Sequence, residues 1–259
     1  MNKEQIVDKL LDYLFKENNL HYKIPEEYED KRLLLRGIIN LRDPYPISEE
    51  ILKLEDNLLK LELKEKQITD SKSIKIIKNK MCIYLGDITT LKTEAIVNAA
   101  NSSLLGCFIP NHNCIDNAIH TYAGIRLRLE CNKIMNNKQE KTGASKITKA
   151  YNLPSKYIIH TVGPIVNKTL TDKEIEELEN CYISCLDLAR KNNIREIAFP
   201  CISTGVFAFP KDKASEIAVR TVNNYLKKYN DNFDKIIFNV FSKEDESYYD
   251  KLLRNKKTN

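Results

Sequence analysis

The sequence predicts an α/β fold in which helices cover both faces of a mostly parallel sheet, preceded by a helical N-terminal segment. Three observations support this prediction. Five apolar runs are continuous rather than alternating, which is typical of strands buried on both faces; they lie near 81–85, 95–97, 157–159, 197–199 and 236–241. Helical patterns alternate with these runs, near 116–135, 173–191, 211–228 and 243–253. Before about Asp70 the periodicity is helical throughout.

The N-terminal segment is predicted to begin with a helix, because apolar residues recur there at helical spacing. They are Ile6, Leu10, Leu11 and Leu14. A second helix follows Pro46, with Ser48 as its N-cap and acidic residues in its first turn. Its apolar stripe consists of Ile51, Leu54, Leu58 and Leu61. A single helical layer must bury such stripes against something else. We therefore predict a helical extension over 1–72 and an α/β domain over 73–259.

Composition excludes several classes of protein. The 259 residues include 41 basic and 36 acidic side chains, so the net charge of +5 is small, and no basic stripe indicates a nucleic-acid partner. The basic C-terminal end (Arg254, Lys256 and Lys257) is interpreted as solvated. Residues 1–15 mix charged with apolar residues and form no signal peptide, and no run is long enough to span a membrane. Seven cysteines in a chain of this size favour reduced thiols in the cytoplasm, some of them on a metal.

Small and polar residues follow the predicted strands, where ligands of parallel α/β sheets bind. The loops in question begin near 86, 98, 161 and 201. Each alone is an ordinary turn, but all four fall on the same edge of the sheet. In the last of them, the residues Ser203, Thr204, Gly205, Val206 and Phe207 precede a helix that starts after Pro210. This loop contains no Lys or Arg, so a phosphate there would be held by backbone amides. Phe207 offers a flat face to a sugar or base, or else packs into the core.

Two cysteines flank a histidine in the pattern C-x₄-H-x-C, formed by Cys107, His112 and Cys114. Thiolate and imidazole are preferred zinc ligands, and three protein ligands leave a fourth position open, as in catalytic sites. The alternative is two buried cysteines and a hydrogen-bonded histidine. The C-x-x-C pairs of zinc ribbons and the deaminase elements are absent. Asp116, two residues beyond Cys114, either caps the following helix or presents a carboxylate beside the metal, and the two roles are compatible.

The remaining cysteines and histidines are given structural roles. Cys82, Cys131, Cys181 and Cys185 are predicted to pack in the core, and Cys201 has no neighbouring base to activate it. For His120 and His160 we expect hydrogen-bonded structural positions.

Four motifs occur in the order found in macrodomains, and the chain resembles that family from about Ser73 onward. They are Gly-Asp-Ile-Thr at 86–89, Val-Asn-Ala-Ala-Asn at 97–101, His-Thr-Val-Gly-Pro at 160–164 and Ile-Ser-Thr-Gly-Val-Phe at 202–207. The Cys-His-Cys loop and the Ile-Asp-Asn-Ala-Ile-His run at 115–120 resemble the bacterial zinc-dependent class linked to sirtuins. That class also has a helical N-terminal extension, and residues 41–48 look like its linker.

The resemblance implies a three-layer α/β/α macrodomain with a mixed, mostly parallel sheet and a pocket for ADP-ribose. By motif, Asp87 binds the adenine amino group with Ile88 beside it, and Asn101 bonds the distal ribose. The 203–207 loop wraps the diphosphate and that ribose. Ile115, Asp116 and Asn117 also line the ligand, with Asp116 and Asn101 in catalytic roles and one zinc ion on Cys107, His112 and Cys114. Only Gly106 remains of the glycine run that many macrodomains carry here.

The function that the resemblance implies is hydrolysis of mono-ADP-ribose from modified proteins, on acidic side chains. The paired-glutamate signature of poly-ADP-ribose glycohydrolases is not found, and a sirtuin-type ADP-ribosyltransferase is the expected functional partner. Two alternatives use the same pocket: a reader that binds ADP-ribose without cleaving it, and a deacetylase acting on O-acetyl-ADP-ribose. A purely structural zinc is a third.

Overall fold

A computed structural model describes residues 1–21 and 23–254, so Lys256 and Lys257 of the basic end lie outside the described residues. The chain begins with three helices: α1 (Lys3–Glu17), α2 (Tyr28–Leu41) and α3 (Glu49–Glu65). Asn2 and Gln5 form a capping box on α1, and Ser48 caps α3 as predicted. Helices α1 and α3 were predicted from the sequence, whereas α2 was not distinguished from the general helical periodicity before Asp70. None of the helices in the described part of the chain is long and apolar enough to cross a membrane.

The predicted stripes of α1 and α3 face each other and α2. Ile6, Leu10, Leu11 and Leu14 are buried with Leu35 and Leu58, and Ile51, Leu54 and Leu61 pack around them. A second buried face of α3, with Leu52, Glu55 and Leu59, was not predicted. The three helices therefore have a core of their own, and α3 has a further face for the rest of the chain.

A six-stranded mixed sheet forms the centre of the rest of the chain. Its strands are β2 (Met81–Leu85), β4 (Ala95–Ala100), β5 (Ser145–Lys149), β6 (Tyr157–Val162), β7 (Glu196–Phe199) and β8 (Lys235–Val240). Two short strands, β1 (Thr69–Asp70) and β3 (Leu91–Lys92), lie outside this sheet. The order across the sheet is β2-β8-β7-β4-β6-β5, and β1 pairs separately with β3. All neighbours in the large sheet are parallel except β5, which runs antiparallel to β6.

Helices cover both faces of this sheet, which confirms the predicted three layers. They are α4 (Ile115–Ala123), α5 (Ile125–Met135), α6 (Asp172–Lys191), α7 (Lys211–Tyr229) and α8 (Lys243–Arg254). Successive residues of β4 point to opposite faces: Val97 joins a core with α6, α7 and α8, and Ile96 joins a core with α4 and α5. Cys82, Cys131, Cys181 and Cys185 are buried in these cores, as predicted.

Three details differ from the sequence prediction. Strand β5 was not predicted, because its polar sequence SKITK lacks a continuous apolar run. The helix predicted over 116–135 is two helices, divided at Gly124, whose φ of +94° interrupts a right-handed helix. Strand β8 ends at Val240, so Phe241 lies beyond it. Since five of the strands are parallel, their carboxyl ends and the loops that follow share one edge.

Candidate active site

The loop after β2 lies beside the end of β8, because the Gly86 amide donates to the Val240 carbonyl at 3.0 Å. Oδ1 of Asp87 accepts from the amide and hydroxyl of Thr89, at 2.8 and 2.7 Å, which fixes the side chain at the start of a short turn. Ile88 is buried beneath this turn. Oδ2 of Asp87 has no partner among the described residues, so an acceptor remains for a ligand donor. The ring of Phe241 is 83% exposed at the neighbouring strand end.

The 203–207 loop closes on itself and leaves three amides free. Phe209 donates its amide to the Ser203 carbonyl and Ala208 to the Gly205 carbonyl, both at 3.0 Å. Ser203 is buried with a φ of +65°, a strained conformation for a residue with a side chain. Within the described chain, the amides of Gly205, Val206 and Phe207 have no hydrogen-bond partner, and the Val206 side chain is 75% exposed. Such a row of amides suits an anion.

Helix α4 begins at the same edge and is capped by a thiol. The Cys114 side chain accepts from the Asn117 amide at 3.4 Å. The amides of Ile115 and Asp116 have no hydrogen-bond partner among the residues described. A helix N-terminus carries partial positive charge and unpaired donors, and it attracts anions and sugar oxygens.

The Asp116 carboxylate, only 5% exposed, is held by two asparagines. Asn98 donates to its Oδ1 at 2.8 Å and Asn101 to its Oδ2 at 3.3 Å. Burial raises the pKa of Asp116 to about 6, while the hydrogen bond from Asn98 opposes that shift. The structure thus brings together Asp116 and Asn101, the two residues predicted to be catalytic. Asn98 was predicted to begin the loop after this strand and was given no role in the site, but β4 continues to Ala100 and places Asn98 within the strand.

A chain of buried polar groups continues behind Asn98. Its amide nitrogen lies 3.2 Å from Nδ1 of His160, and Nε2 of His160 lies 2.9 Å from the Thr148 hydroxyl. Burial lowers the pKa of His160 to about 3, so the ring is neutral. His160 therefore has the predicted hydrogen-bonded role. His120 makes no hydrogen bond to the described residues, and its Nε2 lies 3.7 Å from Oδ1 of Asp116, so its predicted hydrogen-bonded role stays a prediction.

The side chains of Cys107, His112 and Cys114 converge in the loop between β4 and α4. Their donor atoms all lie within 4.8 Å of one another, and Sγ of Cys107 is 3.5 Å from Nδ1 of His112. Gly106 begins this arrangement with a φ of +83°, and a Cβ there would lie 2.7 Å from the His120 ring. Asn101 donates to the Gly106 carbonyl at 2.9 Å as well as to Asp116. The Asn101 side chain therefore ties the start of this loop, which we call the donor loop (106–114), to the buried carboxylate of Asp116.

Asn117, which the motif predicts to line the ligand, has a fully buried side chain. It is hydrogen-bonded to Ile109, Arg36 and Thr121, and these bonds hold the loop in place. The ring of Phe241, which was counted as part of an apolar strand, lies exposed just beyond the end of β8.

Sequence comparison relates the chain to known proteins. A model of the Macro domain family matches residues 97–218. A protein-ADP-ribose hydrolase of Treponema medium is 48% identical over 252 residues, which is 94% of this chain and 96% of the relative.

Two solved structures share the fold. The Oceanobacillus iheyensis macrodomain with ADP has a TM-score of 0.62 and 39% identity, and the match covers 70% of this chain and 94% of that one. The Trypanosoma brucei macrodomain in complex with ADP-ribose has a TM-score of 0.67 and 28% identity, with 84% and 94% covered.

Proposed function

The chain belongs to the macrodomain family, and from this premise we propose that it removes ADP-ribose from modified protein side chains, with a zinc ion beside the distal ribose. The relative from Treponema medium, which matches over nearly the full length of both chains, is named a protein-ADP-ribose hydrolase. The finer proposal concerns the bond that is cleaved and the metal. The substrate carries a single ADP-ribosyl group on an acidic side chain, and this chain belongs to the zinc-dependent, sirtuin-linked class.

The donor set fits a zinc ion. Zn–S and Zn–N bonds of about 2.3 and 2.0 Å at a tetrahedral angle place sulfur and nitrogen about 3.5 Å apart. The separation between Sγ of Cys107 and Nδ1 of His112 is 3.5 Å, and Sγ of Cys114 lies within 4.8 Å of both. Cys107, His112 and Cys114 would hold the ion. Bound there, zinc supplies a Lewis acid with one open position for a sugar or water oxygen.

ADP-ribose would lie along the edge formed by the strand ends. The free Oδ2 of Asp87 accepts from the adenine amino group, with Ile88 beneath and the exposed ring of Phe241 alongside. The free amides of the 203–207 loop hold the diphosphate, and Asn101 bonds the distal ribose. The amides of Ile115 and Asp116 lie at the same end of the site.

We assign to Asp116 the orientation of the attacking water. Its carboxylate is fixed by Asn98 and Asn101, so it would present an acceptor to a water at the distal ribose. The water oxygen joins the anomeric carbon, and the bond between that carbon and the side-chain oxygen breaks. One water proton leaves with the released carboxyl group, which balances the reaction.

The single observation that supports this proposal is the meeting of Asp116, Asn101 and three zinc-type donors at one place. It is tested with Cys107→Ala and Asp116→Ala, by following release of ADP-ribose from a mono-modified protein alongside metal analysis of each purified variant. We expect at least about a 100-fold loss of rate in each variant. Unchanged rates in both would refute the proposal.

The alternatives are separated by further measurements. A reader module gives calorimetric binding of ADP-ribose without product, and a deacetylase prefers O-acetyl-ADP-ribose when both substrates compete. A purely structural zinc predicts that a chelator melts the fold instead of slowing turnover. A cytoplasmic location and a sirtuin-type ADP-ribosyltransferase as functional partner complete the proposal; co-purification from cells tests the partner.

A further inference from the structure

Helix α2 of the N-terminal extension lies directly against the loop that carries Cys107, His112 and Cys114. Asn40 on α2 is buried and accepts from the Asn111 amide at 3.0 Å. Gly37, one turn earlier, makes the approach possible, since a Cβ there would lie 3.3 Å from Nδ2 of Asn111 and 3.7 Å from Pro110. The middle of the donor loop is thus packed on a helix some 70 residues away in sequence.

Arg36 on the same face of α2 reaches the donors more closely. Its guanidinium donates to the carbonyl of His112 at 3.3 Å and to Oδ1 of Asn117 at 2.8 Å. Arginine suits this task, because its planar fork holds two acceptors in fixed directions. One charged side chain of the extension therefore holds the backbone of one proposed ligand.

Asn117 transmits the contact of Arg36 to a second proposed ligand. Its backbone amide donates to Sγ of Cys114 at 3.4 Å, and its Nδ2 donates to the Ile109 carbonyl at 3.0 Å. Thr121, which accepts from Asn40, also donates to Oδ1 of Asn117. Arg36 and Asn40 thereby close a buried hydrogen-bond network around the loop from Ile109 to Cys114.

Arg128 on α5 ties the end of α2 to the beginning of the loop. It donates to the carbonyls of Ile39, Asn40 and Arg42 at 2.8, 3.0 and 2.6 Å. Its Nε donates to Leu105 at 2.7 Å, and its guanidinium lies 4.5 Å from the centre of the Phe108 ring. The carbonyls of Asn40 and Arg42 have no backbone donor at this helix end, and the Ile39 carbonyl also accepts from the Arg42 amide, so the arginine fixes where α2 ends.

We propose that helix α2 is the outer support of the metal centre: Arg36 and Asn40 hold the donor loop in its ligating shape. This inference rests on the proposed zinc site and assigns the N-terminal extension a role in it. Groups that orient metal ligands strengthen affinity, and losing one costs about 10- to 100-fold. Arg36 is a positioning residue, since it contacts neither the metal nor the substrate.

The test compares Arg36→Ala with Arg32→Ala in the full chain, using competition between the protein and a chromogenic chelator for Zn²⁺. Arg32 lies one turn earlier on α2 and pairs with Glu62 of α3, so its loss disturbs the extension without touching the loop. We expect Arg36→Ala to weaken zinc binding about 10- to 100-fold, Arg36→Lys to recover part of it, and Arg32→Ala to stay within about threefold of wild type. Equal affinities of Arg36→Ala and wild type, or equal losses in both alanine variants, would overturn the inference.

A second readout does not depend on metal. In the metal-free protein, hydrogen exchange of the 107–114 amides should rise in Arg36→Ala but not in Arg32→Ala, with the 203–207 loop unchanged in both. No change at 107–114 in Arg36→Ala refutes the support role even if zinc binds. A wild-type protein that binds no zinc refutes the metal centre itself, which is a different result from equal affinities.

Discussion

Asn98 lies in the middle of the buried strand β4, where its side chain amide has two acceptors. One is Oδ1 of Asp116 and the other is Nδ1 of His160, at 2.8 and 3.2 Å. Because the amide nitrogen of Asn98 can only donate, Nδ1 of the neutral His160 ring is its acceptor, and Nε2 carries the ring proton toward the Thr148 hydroxyl. The position of the carboxylate is therefore set by a chain of residues that never meets the ligand.

Replacing Asn98 by Ala should reduce turnover far more than binding. We expect a fall of about 100-fold in the rate of ADP-ribose release, because Asp116 loses the donor that holds it. Affinity for ADP-ribose should change little, since the diphosphate is held by the 203–207 loop. Single-turnover release and calorimetry measure the two quantities. Thr148→Val, at the far end of this hydrogen-bond chain, is the control, and its rate of release should stay within a few-fold of wild type. A rate for Asn98→Ala as high as that for Thr148→Val would disprove the positioning role of Asn98.

Site residues that lie close together in sequence, or that follow the predicted strands, could be assigned to one edge of the sheet, whereas contacts from the N-terminal extension could not be predicted. Cys107, His112, Cys114 and Asp116 fall within ten residues, so their spacing alone indicates a shared site. Arg36 contacts Asn117 across 81 positions, and no local pattern connects them. Phe241 was absorbed into an apolar run, because hydrophobicity does not distinguish a buried ring from one exposed at a strand end.

At the scale of elements, buried strands and amphipathic helices were predicted best, because their patterns record burial directly. Strand β5 is an edge strand with a polar sequence, and only its pairing with β6 makes it a strand. Helix α2 has no side-chain N-cap, and Gly37 and Asn40 interrupt the apolar residues on its buried face, so its start and its stripe are less distinct than those of α1 and α3. Both residues contact the donor loop, as Arg36 does.

The buried carboxyl group of Glu55 joins α3 to α5. Its Oε2 accepts from the Ile125 amide at the first turn of α5, at 2.8 Å, and the residue is 2% exposed. A carboxylate favours a helix N-terminus, yet burial raises the pKa of Glu55 from 4.5 to about 7. Between pH 4.5 and 7 the folded protein keeps a proton that the unfolded chain has lost. The free energy of unfolding therefore falls as the pH rises through this range.

Glu55→Gln should remove this part of the pH dependence. Glutamine keeps a neutral acceptor for the Ile125 amide, so the variant should be more stable than wild type above pH 7, by up to about 3 kcal/mol. Denaturant unfolding at intervals from pH 4.5 to 8 measures the difference. Glu62→Gln on the same helix is the control, because it also removes a carboxyl group from α3, but one that is paired with Arg32 and does not bond to the Ile125 amide. Parallel pH profiles for wild type and Glu55→Gln would show that Glu55 titrates normally.

In the whole molecule, the extension meets the sheet domain through the apolar face of α3 that carries Leu52 and Leu59 and through polar side chains. The charged groups that bond across the junction include Glu55, Arg36, Arg126 and Arg128. Hydrogen bonds to charged groups depend on direction, so these contacts fix the angle at which α2 meets the donor loop.

Arg128→Ala should therefore destabilise the protein much more than Arg126→Ala, although the two arginines are two positions apart on α5. Arg128 is 6% exposed, and its loss leaves the carbonyls of Asn40 and Arg42 without their donor and removes one of two donors from the Ile39 carbonyl, at a cost of about 3 kcal/mol. Arg126 pairs with Glu49 and Asp56 nearer the surface, where such bonds contribute about 1 kcal/mol. Urea unfolding of the full chain compares them. Equal losses would mean that the junction is held by packing, and that its arginines do not fix where α2 ends.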